Sequence, residues 1–114
     1  MKKEKIEDTL LKIGIPASVQ GFRYITQAVL MMDTEEYRNP KFTHLYCEIA
    51  NINKVTASRV ERAIRHAFEI ARDVRGDYEM ADRYIGFANT SNSASLAQLY
   101  LILKREEENE ESNA

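Results

Sequence analysis

The chain is short of the residues that punctuate or cross-link a fold. It has one cysteine, two prolines, four glycines and no tryptophan in 114 residues. A single cysteine, Cys47, cannot close an internal disulfide, so nothing points to an oxidising compartment. So few glycines and prolines leave too few obligatory turns for a sandwich or barrel, which needs a turn signal about every 8–12 residues. Long apolar runs are also missing, and none approaches the ~18 residues of a membrane span. The segment Met1 to Ile15 opens with lysines but carries Glu4, Glu7 and Asp8, so it lacks the uncharged core of a signal peptide. No membrane partner is expected, and the expected place is the cytoplasm.

What is present is ordinary for one globular domain: 44% hydrophobic and 30% charged residues. Net charge is nearly absent as a total, at −2. Nucleic-acid-binding domains tend to be basic, so the total argues against such a partner if charge is evenly spread. It is not. Residues 106–114 hold five glutamates, and without them 16 basic residues face 13 acidic ones, a body of +3. The chain therefore reads as a domain over 1–105 and an acidic flexible tail over 106–114. The tail is either a solubilising end or a competitor with phosphates for a basic face.

Apolar residues recur at helical spacing through most of the body. Ile6, Leu10, Leu11 and Ile13 mark a first helix from about Lys3, ended by Gly14 and Pro16. Val19, Phe22, Ile25, Ala28, Val29 and Met32 mark a second over Ser18 to Met32. Asp33 to Lys41 is a connection containing the breaker Asn39-Pro40. Further helices are predicted over Thr43 to Asn51, Thr56 to Val74 and Tyr78 to Phe87, with a stop near Gly76. Asn89 to Ser95 reads as a polar connection and Leu96 to Arg105 as a strongly apolar helix. The fold class is all-α, a compact bundle of about six helices.

Residues 56–74 separate cleanly on a helical wheel. Val60, Ala63, Ile64, Ala67, Phe68, Ile70, Ala71 and Val74 share one apolar arc of about 160°. Ser58, Arg59, Arg62, Arg65, His66, Glu69 and Asp73 lie opposite, with Glu61 and Arg72 at the edge. A wet charged face accounts for this pattern on its own. The preceding residues add more. Ile49 to Ile64 has the spacing of a helix-turn-helix. Ala50 is small where two helices approach, Val55 plugs the turn, and Val60 and Ile64 anchor the second helix. Thr56 or Ser58 can cap that helix, and Ser58 with Glu61 has the capping-box pattern. Glycine is common where Lys54 stands, because a positive φ is often needed there; a lysine costs about 1 kcal/mol, unless Asn53 takes the left-handed conformation instead. In this motif the second helix enters the major groove.

The run Thr56-Ala57-Ser58-Arg59-Val60-Glu61-Arg62-Ala63-Ile64-Arg65-His66-Ala67 strongly resembles a known recognition helix. It is that of the C-terminal DNA-binding effector domains of the master sporulation response regulators of endospore-forming Firmicutes. Gly14-Ile15-Pro16-Ala17, Gly21-Phe22-Arg23-Tyr24, Leu45-Tyr46 with Ile49-Ala50, and Asn92-Ser93 extend the similarity. The resemblance implies a sequence-specific transcription regulator reading short DNA boxes. Arg59, Glu61 and Arg65 would read bases. Ser58, Arg62 and His66 would reach bases or phosphate, and Lys54 and Thr56 the backbone. An arginine fork suits guanine O6 and N7, and a glutamate accepts from cytosine N4. Double-stranded DNA is the implied partner, with an RNA polymerase sigma factor and a homodimer on tandem sites as further implied contacts. The family's regulator carries an N-terminal receiver domain for which 114 residues leave no room, so a free-standing effector domain is expected. Cys47-Glu48 stands where the family tends to have Pro-Asp, and Arg75 to Phe87 matches the sigma-contacting segment poorly.

The competing reading is an interaction module of the same fold that binds a full-length regulator or RNA polymerase. The acidic tail and the apolar run Leu96 to Leu103, either deeply buried or an oligomer surface, motivate it. An enzyme finds little support. His44 and His66 show no ligand-spaced Cys or carboxylate, Cys47 reads as core, and Glu35-Glu36 falls in an exposed segment. No cofactor or metal is expected.

Overall fold

Residues 1–35, 41–73 and 76–113 are described by the computed structural model. Six α-helices follow one another in these residues: α1 Lys3–Lys12, α2 Gln20–Met32, α3 Phe42–Asn53, α4 Ala57–Arg72, α5 Tyr78–Ile85 and α6 Asn92–Ser112. The fold is an all-α bundle, as the periodicity predicts. Glu36, the Asn39-Pro40 breaker, Val74, Arg75 and Ala114 lie outside the described residues.

Three of the six helix starts follow the capping chemistry. Thr56, Asp77 and Ser91 each accept a backbone N–H three residues on, from Arg59, Met80 and Ala94, and open α4, α5 and α6. Ser91 moves the start of α6 to Asn92, ahead of the expected Leu96. The far end of α6 also differs from the expectation of a free tail after Arg105. The helix continues to Ser112 because glutamates are good helix formers and the first two are tied to the body. Glu106 accepts from the Tyr84 hydroxyl at 2.6 Å and lies 3.5 Å from Lys5 Nζ. Burial and that carboxylate push the Tyr84 phenol up to about 12. Residues 108–113 are exposed.

The core forms where α2 and α4 cross. Ile25, Ala28 and Val29 of α2 meet Val60, Ile64, Ala67, Phe68 and Ala71 of α4, all of them fully buried. Gly21 sets the separation. A Cβ there would overlap the Ala63 carbonyl oxygen and come within 2.7 Å of Ala67 Cβ. Leu45 and Ile49 of α3, Ile6 and Leu10 of α1, and Leu96, Leu99 and Leu103 of α6 close the core around this pair. Burial thus takes one stripe of α6, while Leu101 stays 45% exposed. Cys47 corrects the reading of it as core. It is exposed, because it lies off the Leu45-Ile49 stripe that faces inward.

Asp33, just past α2, ties that helix to α6. Its carboxylate accepts from the Met1 ammonium at 2.8 Å and the Tyr100 hydroxyl at 3.1 Å, and lies 3.2 Å from Lys104 Nζ. Partial burial works to raise the acid's pKa, but these donors outweigh it and hold Asp33 below the ordinary carboxylate range.

Two outcomes follow from this packing. Gly21→Ala should destabilise the fold by about 3 kcal/mol, read from denaturant midpoints at unchanged slope, because the intruding methyl meets backbone. Asp33→Asn should cost about 1–2 kcal/mol at neutral pH. A depressed acid stabilises above its unfolded pKa and loses that contribution as pH falls, so the wild-type advantage should shrink below about pH 4. A gap that stays constant from pH 7 to pH 2.5 contradicts the ionic contribution.

Candidate nucleic-acid interface

The corner between α3 and α4 is closed by backbone hydrogen bonds. Val55 N–H reaches the Ala50 carbonyl at 3.0 Å, which requires a left-handed residue between them. That residue is Lys54, at φ 57° and ψ 46°, and among the described residues it alone has positive φ without being glycine. Asn53, the alternative, is committed elsewhere. Its side-chain amide donates to Gln27 Oε1 at 2.7 Å and to the Ile49 carbonyl at 2.8 Å. Ala50 is buried at the crossing, and Val55 is partly buried against the core.

Thr56 caps α4, its hydroxyl oxygen accepting the Arg59 N–H at 3.1 Å. Ser58 therefore lies inside the first turn and the expected Ser58-Glu61 capping box does not form. A box partner belongs three residues after the cap, where Arg59 stands.

The inner face of α4 is consumed by the core. Its outer face presents Ser58, Arg59, Arg62, Arg65, His66, Glu69 and Asp73, all exposed. Lys54 and Thr56 are exposed at the corner that leads into this face. The eight residues singled out in the sequence thus share the corner and the outer side of one helix. Arg59 and Arg62 form no salt bridge with the described residues, so their guanidinium groups are available to an anion. Arg72 has another job. It donates to Ser95 Oγ at 2.7 Å and to the Asn89 carbonyl at 3.2 Å. Burial lowers its pKa, against the pull of Glu69.

Glu61 sits at the edge of the exposed face and is held from two sides. Arg65 Nη1 lies 3.4 Å from its Oε1, and Asn92 Nδ2 reaches the same oxygen at 3.4 Å and the Glu61 carbonyl at 2.9 Å. Tyr46 of α3, half-buried, lies beside this cluster. Burial first, and the Glu61 charge second, push the Tyr46 phenol up to about 12. Sequence reading placed Asn92 only as a helix start, and no local spacing links it to Glu61. Arg23 of α2 was likewise not selected; it is exposed and lines a groove beside the corner with Gln20, Asn53 and Val55.

His44 corrects the reading that it lacks a carboxylate at ligand spacing. Its Nε2 lies 3.8 Å from Glu48 Oε1 one turn on, an exposed pair. No three His, Cys, Asp or Glu side chains gather as a metal site among the described residues. No helix among them is long and apolar enough to cross a membrane.

A family model described as "Sporulation initiation factor Spo0A C terminal" matches residues 6–102. The match runs from Ile6 in α1 to Ile102 in α6 and includes the whole α3–α4 corner.

The strain at Lys54 is measurable. Lys54→Gly relieves about 1–2 kcal/mol of left-handed strain and gives back part of it as unfolded-chain freedom. The expected net gain is about 0.5–1 kcal/mol in urea unfolding. A variant less stable than the parent overturns this.

Proposed function

The chain belongs to the Spo0A C-terminal family, a family of DNA-binding regulatory domains rather than an enzyme class, and from that premise we propose that it binds specific short DNA boxes through α4. The observation that carries the reading is the exposed row Ser58, Arg59, Arg62, Arg65 and His66, presented by a closed helix-turn-helix corner on a face the core does not use. An α-helix fits the major groove, and the N-terminal part of α4 brings arginines to base edges.

In this reading Arg59 and Arg65 take guanine O6 and N7. Glu61 accepts from cytosine N4, and Arg62, His66 and Ser58 reach bases or phosphate. Lys54 and Thr56 contact the backbone, where contacts position without specifying. Binding releases counterions from the phosphates, so affinity falls steeply with salt. The target is double-stranded DNA and the place of action the cytoplasm. A contact with an RNA polymerase sigma factor, and two copies on tandem boxes, extend the same proposal. The rival reading, an interaction module without DNA recognition, drew on the apolar run in α6. Leu96, Leu99 and Leu103 of that run are fully occupied in the core.

The test is selection from a randomised duplex library, followed by gel shifts on the selected box. Arg59→Ala and Arg65→Ala should each relax one position and cost about 1–3 kcal/mol on the box. Lys54→Gly should weaken binding to all sequences alike and lower the salt slope by about 1. No shift at low salt by a folded protein favours the interaction module. Unchanged discrimination in both arginine variants removes their assigned roles.

A further inference from the structure

Glu61 is the one carboxylate among residues 54–66, the corner and first turns of α4 proposed to approach DNA. A carboxylate there is repelled unless it is held where it can accept from a base. A free glutamate side chain also loses up to about 2 kcal/mol of rotamer freedom when it is fixed. The structure fixes it before any ligand arrives. Asn92, the first residue of α6, spans 31 positions of sequence to donate from Nδ2 to both the Glu61 carbonyl and Oε1. The carbonyl bond at 2.9 Å anchors the amide, and the longer contact at 3.4 Å steers the carboxylate. Arg65 pulls on the same oxygen from one turn along α4. Both contacts fall on Oε1, which leaves Oε2 to accept a hydrogen bond from outside.

We propose that Asn92 is a positioning residue for base reading: it pre-orders the Glu61 carboxylate from the adjoining helix so that one oxygen is presented to a cytosine amine. This rests on the reading of Glu61 as a base contact. Asn92 itself reaches no base. Its removal should therefore change which base is preferred at one position and leave binding to random duplex untouched. Losing a tether broadens the orientations of the acceptor, and pre-organisation of such groups is a known source of discrimination.

The experiment uses the whole chain and a randomised duplex library, with thermal melting to confirm that each variant is folded. Ser91, which caps α6, is left in place. Asn92→Ala should lower discrimination at a single base pair about tenfold, with affinity for random duplex within about twofold of the parent. Asn92→Asp, which sets a second carboxylate against Glu61, should lower it at least as far. Glu61→Ala should relax the same base pair. In the Glu61→Ala background Asn92→Ala should have no further effect on preference, since the two act as one unit. A uniform loss across all sequences, or additive effects in the double variant, assigns Asn92 a structural role and overturns the proposal. A Glu61→Ala variant that relaxes its base pair while Asn92→Ala does not overturns the proposal and leaves Glu61 as a reader. A Glu61→Ala variant with parental preference at every position removes the underlying reading, and the proposal with it.

Discussion

The contact of Gly21 with the Ala63–Ala67 turn of α4 fixes everything outward of it. Backbone meets backbone there, and backbone cannot be repacked as side chains can. The approach brings α2 and α4 close enough for Ile25, Ala28 and Val29 to interlock with Ile64, Phe68 and Ala71. With α4 seated, α3 leaves it through a corner whose sharpness is set by one left-handed residue. The rotation of α4 about its own axis then has one solution. The five fully buried residues point in, and Arg59, Arg62 and Arg65 point out.

That geometry explains why so much was legible. The stripe Val60, Ile64, Ala67, Phe68 and Ala71 is periodic in the sequence and buried in the fold. The wheel placed Glu61 and Arg72 at the edge of the face, and both are half-buried there. The family resemblance rested on the same twelve residues and agrees with the matched family. Hydrophobic period and caps are local properties, and local properties can be read along a chain.

What was missed depended on partners far away in sequence. Thr56 and Ser58 were equal candidates for the cap until the corner chose the earlier one. Lys54 and Asn53 were open alternatives for the left-handed position. The structure keeps Asn53 as the last helical residue of α3 and gives the left-handed turn to Lys54. The strongly apolar segment in α6 has residues nearly all round, so periodicity could not say which stripe is buried. The glutamates after Arg105 looked like a free charge run, because Lys5 and Tyr84, which hold Glu106, lie on other helices.

The two faces of α4 differ in how freely they can vary over evolutionary time. The inner residues are locked on a helix that packs against four others, α2, α3, α5 and α6. Most outer ones touch nothing the fold needs, so Arg59, Arg62 or His66 can be exchanged at little thermodynamic penalty. Under the proposed reading, drift on this one surface would re-address the domain to a different box, with its docking angle inherited unchanged. Glu61 is the exception, because its carbonyl and carboxylate are both bonded to α6. A lineage that abandons Glu61 has to change Asn92 as well, so these two positions are expected to move together.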